Sequence, residues 1–163
     1  MKKRELFSFT VLLFACSVLL SNCSKEKQLE RALHKKEGVW NISSVSWEKS
    51  ILTSSGHNVS FGTTANPGTF TFEKDGSGSY NFTVDGSTYS RNFAWAVNGE
   101  NIKIARISTS FDLSGNIEYL TIGIVGKQKN KSNIELSGTE TLVYSSGPAT
   151  ETVFTGTFSL TKQ

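Results

Sequence analysis

Few residues in this chain are equipped for chemistry, and two of them are arginines on an otherwise apolar strand face. Arg91 and Arg106 flank Asn98-Gly99, the strongest short hairpin signal in the sequence. A two-residue turn there pairs Val97 with Glu100, Trp95 with Ile102 and Phe93 with Ile104. It also sets the arginines directly opposite each other, beside Phe93 and Trp95. Like charges so placed repel, and burying them unpaired is strongly unfavourable. One solution is an anionic ligand group, such as a carboxylate held by both guanidiniums with Tyr80 nearby and Phe82 and Trp95 on the same apolar face. A second is internal: Glu118 and Glu140 share the parity of their apolar neighbours and can pair with both arginines. A third is that the strand frays before Arg106, which then reaches solvent at a rim.

Other chemistry is sparse. His34 and His57 are the only histidines, and two isolated imidazoles make a poor zinc or iron site. No nucleophile elbow, triad or phosphate-binding glycine loop appears. Asp75 and Asp85 stand in turn dipeptides, where their role is backbone geometry. The expectation is a protein that is not an enzyme and uses no metal or cofactor.

The elements that must position the arginines come from a chain of 163 residues, a length that suits one domain, with 19% charged and 11% aromatic residues. Lys2, Lys3 and Arg4 carry much of the +3 net charge; without them and Glu5, 14 Lys/Arg face 13 Asp/Glu. A near-neutral body gives no case for a nucleic-acid partner.

Residues 1–22 read as a signal peptide, with a basic start and a 15-residue apolar run, Leu6–Leu20. At about 1.5 Å per residue that run is too short to cross a roughly 30 Å hydrocarbon core. Leu20-Ser21-Asn22-Cys23 resembles the lipobox of bacterial lipoproteins. The resemblance implies acylation of Cys23 by chains such as palmitate, and a membrane anchor. Leu13-Phe14-Ala15-Cys16 is a competing fit that would leave an apolar mature N-terminus, so Cys23 is preferred. Ser24 after the cysteine implies, by the same resemblance, sorting to the outer membrane. Residues 23–37 then form an anchor, tether and short helix, with Leu29, Ala32 and Leu33 at helical spacing. The stretch 24–37 holds five basic and three acidic residues, which suits anionic headgroups.

From Gly38 to Gln163 short alternating segments dominate. They predict strands over 38–50, 68–74, 78–84, 87–97, 100–107, 117–126, 133–143 and 152–162. Asp85-Gly86 pairs Phe82 with Tyr89 and Tyr80 with Arg91. A three-residue loop at Asp75-Gly76-Ser77 pairs Phe72 with Tyr80 and Phe70 with Phe82. One face then carries Phe70, Phe72, Tyr80, Phe82, Val84, Tyr89, Phe93, Trp95, Ile102 and Ile104. The phase change from Trp40 and Ile42 to Val45 and Trp47 predicts a bulge near Ser43-Ser44. With one apolar face per strand, the sheet must close on itself or form a sandwich. The fold class is all-β, an antiparallel up-and-down eight-stranded barrel with a short N-terminal helix. "LTSSGHNVSFGTTANPG" is expected as a long rim loop, a candidate lid.

Gly38-Val39-Trp40, the strand count, "GTFTFEKDGSGSYNFTV" and "FAWAVNGENIKI" together resemble the small lipocalin-like lipoproteins of Gram-negative bacteria, over roughly 38–163. The resemblance implies a cup for small, mostly apolar molecules and a Trp40 at its closed end. The family covers that tryptophan with an arginine just after the last strand; Lys162 is the neighbour here. Fatty-acid-carrying β-barrels are similar in using interior Arg and Tyr for a carboxylate. A filled barrel acting through its loops, as an accessory envelope lipoprotein, is the alternative.

Overall fold

The computed structural model describes residues 25–111, 117–145 and 150–163, with side chains outside 109–119 and 144–150. The expected signal peptide, Cys16, Cys23 and the Glu118 side chain lie outside that description.

Eight antiparallel strands follow one another around a closed barrel. They are β1 (Val39–Thr53), β2 (Gly56–Phe72), β3 (Ser77–Val84), β4 (Ser87–Asn98), β5 (Asn101–Phe111), β6 (Ile117–Asn130), β7 (Asn133–Ser145) and β8 (Thr150–Lys162). Closure is made by β1 against β8, from Trp40 opposite Lys162 to Leu52 opposite Glu151. Strict alternation explains why the strands close: each has one apolar face, and a barrel buries all of them without leaving an edge. Every residue of the apolar face expected across 70–104 is buried. So are Leu120, Ile122 and Ile124 of β6, Ile134 and Leu136 of β7, and Phe154, Phe158 and Leu160 of β8. The bulge in β1 falls between Ile42 and Ser44 and shifts both of its ladders.

The turn at Asp85-Gly86 has the expected register, with φ of 48° and 68° at its two central residues. That double positive φ is the type I′ geometry a twisted hairpin prefers. Two other registers differ from expectation. Asn98 lies opposite Asn101, so Trp95 faces Ile104 and Val97 faces Ile102. Gly99 takes the first central position with φ 63°, and Glu100 has no positive φ. A single positive φ at the first position is the II′ pattern, which moves the turn one residue along. Around Gly76 the three-residue loop is Lys74-Asp75-Gly76, closed by the Glu73 N–H donating to the Ser77 carbonyl at 2.8 Å. Phe70 therefore faces Tyr80 and Phe72 faces Gly78, because Gly76 (φ 86°) supplies the left-handed residue at the loop's end. Each correction moves pairing by two residues in total, so no side chain changes face.

The expected long rim loop is not a loop. Residues 56–72 form β2, joined to β1 by the two-residue turn Ser54-Ser55, with Thr53 opposite Gly56. Polar and small residues there alternate against an extended β1, and pairing with that strand decides the conformation that composition left open. No lid is made from this segment.

Residues 25–34 are helical. The helix does not hang free as a tether: Leu29 and Leu33 are buried with the barrel core, and the helix closes one end. Lys36–Gly38 then turns the chain into β1 through three successive positive φ values, 54°, 64° and 67°. Gly38 is required there twice over, since a Cβ would also overlap the Phe72 carbonyl.

Candidate functional site

The plugged end is tied together by polar contacts at its centre. The Trp40 indole donates to the Leu33 carbonyl at 3.0 Å. Lys162 stands 4.5 Å from the Trp40 ring centroid and donates to the carbonyls of Ala32 and Leu33 at 2.8 and 3.1 Å. These are the last carbonyls of the helix, which lack intrahelical partners, so the lysine caps the helix and covers the tryptophan at once. Burial, with Lys36 and Lys35 nearby, pulls Lys162 down to about 8. Glu26 accepts from the Gly99 N–H at 2.7 Å, which fastens the helix start to the β4–β5 turn.

Above this floor the barrel is filled by aromatic rings. Phe70 contacts Tyr80, Phe93 and Phe158 at centroid distances of 5.3, 6.0 and 5.3 Å. Phe82 stacks on Tyr89 at 5.1 Å, and Tyr89 meets Phe154 at 4.6 Å. Trp95 lies low in this column, where its indole donates to the carbonyls of Glu73 and Ser77 at 3.1 and 2.7 Å. It pins the β2–β3 turn and is not gathered with the arginines.

Charge is concentrated in the upper half. Glu140 is buried; it accepts from the Tyr80 hydroxyl and pairs with Arg91 Nε at 3.2 Å. Burial pushes the Glu140 carboxyl above its ordinary range, and the Tyr80 hydrogen bond and Arg91 oppose that push. Burial, with the Glu140 charge, drives the Tyr80 hydroxyl far up, so Tyr80 is a neutral donor here. Burial, with Glu140 and Asp85 nearby, raises Tyr89 to about 12. Lys49 reaches in from β1, donating to Ser87 Oγ at 2.9 Å and pairing with Asp85 at 3.5 Å. Lys49 was missed in the sequence, although it shares the parity of Val45 and Trp47 after the bulge.

Arg106 does not stand opposite Arg91. The β4–β5 ladder stops at Ala94 and Ala105. Beyond it β4 remains paired with β3 and β5 with β6, where Arg106 lies opposite Ile122. A seam thus opens in the wall, and Arg106 Nη1 reaches across it to the Asn92 carbonyl at 2.8 Å. Of the expected site residues, Tyr80 and Arg91 meet at Glu140, Phe82 packs against Tyr80 at 5.3 Å, Arg106 spans the seam beside them, and Cys23 lies outside the described residues. Among the described residues no three His, Cys, Asp or Glu converge to hold a metal.

Fold and site together define a class: a closed antiparallel barrel, plugged at one end by its own N-terminal helix and charged in its other half. No family model matches the chain, and no curated protein does. Among solved structures, an S-type phycobiliprotein lyase from Guillardia theta is similar over 75% of this chain and 88% of its own. Its identity is 6% and its TM-score 0.28.

Proposed function

We propose that this chain is a lipid-anchored, lipocalin-like protein of the bacterial outer membrane that binds a small molecule with an apolar body and an anionic end, a fatty acid being the simplest example. The observation that carries the reading is the seam above Ala94 and Ala105, where Arg106, Arg91 and the Tyr80–Glu140 pair stand over an aromatic floor. Among the described side chains there, Lys49 is matched by Asp85 and Arg91 by Glu140. Arg106 reaches a neutral carbonyl, and its guanidinium is of the type that binds a carboxylate arriving through the seam. The anchor part of the reading is supported by the lipobox-like segment ending at Cys23.

The test is titration of delipidated protein with palmitate. Loss of one charge-assisted hydrogen bond corresponds to about a 10–100-fold weaker Kd. Arg106→Ala is expected to fall in that range, with the fold intact by circular dichroism. A wild-type protein that binds no fatty acid would overturn it. The alternative is an accessory lipoprotein with a filled barrel, acting through its surface. It is favoured by the aromatic rings that fill the barrel and by Phe61, which stands 81% exposed on β2 near the half-exposed Val59 and Leu52.

A further inference from the structure

We infer that the plugged end is a docking surface for an anionic phospholipid leaflet, with the barrel standing on its helix and its charged, seamed half pointing away from the membrane. This rests on the anchored reading of Cys23 and goes beyond it, because an acyl anchor alone sets no orientation.

Three observations converge on that end. The first is reach. Cys23 precedes Lys25 by two residues, so at no more than about 3.6 Å per residue at most roughly 7 Å of backbone separates the acylated residue from the helix. That is inside one Debye length of about 8 Å at physiological salt. The second is charge. The β6–β7 hairpin carries Lys127, Lys129 and Lys131, all exposed, at the same end as the helix. Glu26 holds the Gly99 N–H, Glu100 pairs with Lys25 at 3.1 Å, and Glu135 pairs with Lys129 at 3.2 Å. The exposed Glu30, Glu37, Glu73 and Asp75 of this end are outnumbered by the exposed Lys27, Arg31, Lys35, Lys36 and Lys74 together with the hairpin lysines. The third is shape. A groove of about 290 Å³ runs between the helix start and the beginning of the hairpin, lined by Lys25, Gln28, Glu100, Lys127 and Gln128. Glu100 holds Lys25 there, so Lys127 and the two amides are the donors facing a headgroup phosphate, an anion with several acceptor oxygens.

The experiment uses full-length acylated protein reconstituted into vesicles of phosphatidylcholine, with or without phosphatidylglycerol. A fluorophore is placed at Ser132→Cys or, separately, at Ser54→Cys, and the vesicles carry a headgroup quencher. In phosphatidylglycerol vesicles the label at 132 is expected to be quenched several-fold more than the label at 54. High salt, or Lys127→Ser with Lys131→Ser, should shrink that difference. Equal quenching at the two sites, or quenching at 132 that ignores phosphatidylglycerol, would overturn the orientation while leaving the anchor standing. A mature N-terminus without acyl mass would overturn the anchor and the orientation together.

Discussion

The two ends of this barrel are made by the same eight strands and could hardly be more differently finished. At the plugged end Trp40, Leu33 and Phe72 are fully buried, and one lysine satisfies both the helix carbonyls and the indole face. Toward the other end the β3–β4 hairpin loses both neighbours: its flanking ladders, Gly68–Phe72 with Phe82–Gly78 and Ala94–Asn98 with Ala105–Asn101, stop short of the Asp85-Gly86 turn. There the interior holds ion pairs beside its aromatic rings. Apolar burial is non-directional and tolerates no gaps, whereas buried charge demands named partners and leaves room for exchange. Stability should therefore concentrate at the plug, and responsiveness at the seam.

The largest expected effect tests that division directly. Trp40→Ala removes a fully buried indole and its hydrogen bond, and should destabilise by about 3–5 kcal/mol in urea unfolding. Glu140→Gln, in the seamed half, deprives Arg91 of its carboxylate. Arg91 retains access to solvent, so the cost should be smaller, about 1–3 kcal/mol. Equal losses at the two positions would break the comparison. The same pair carries a pH signature. Glu140 titrates above its ordinary value in the folded chain, so its contribution is full below the unfolded carboxyl pKa. It declines as pH rises through the raised folded value. Wild type minus Glu140→Gln stability should fall with increasing pH across that window.

The smallest effect sits back at the plug and has the opposite slope. Lys162 loses its proton near 8 when folded, against 10.5 as the ordinary value. Between those values the unfolded chain binds more protons, so stability should rise with pH. Lys162→Gln should flatten that rise, measured as the difference between the two pH–stability curves.

What the sequence made legible follows from the period of a strand. Parity alone assigned the faces of Tyr80, Phe93, Trp95 and Ile104 and paired Glu140 with the arginine problem, because face survives a two-residue error in register. Turn position was less legible. Asn98-Gly99 and Asp75-Gly76 signal a reversal, but whether glycine takes the first, second or third loop position depends on twist and on neighbours such as Glu26. The strand at 56–67 was hidden by Thr, Ser, Asn and Gly, whose conformation there is settled by pairing with β1. The seam between β4 and β5 was not legible at all. It arises from where two ladders end, and no local pattern marks the end of a ladder.

The closure of the barrel by β1 on β8 has a consequence for the order in which the molecule is made. Trp40 pairs with Lys162 across almost the whole chain, and Lys162 also secures the helix through Ala32 and Leu33. The first strand and the plug thus wait for β8 to be synthesised. Until then the nascent chain has hairpins but neither a closed wall nor a floor, and such long-range pairings form late because loop closure precedes their reward. The strand that completes the wall also secures the floor, so wall and plug become fixed in a single late event.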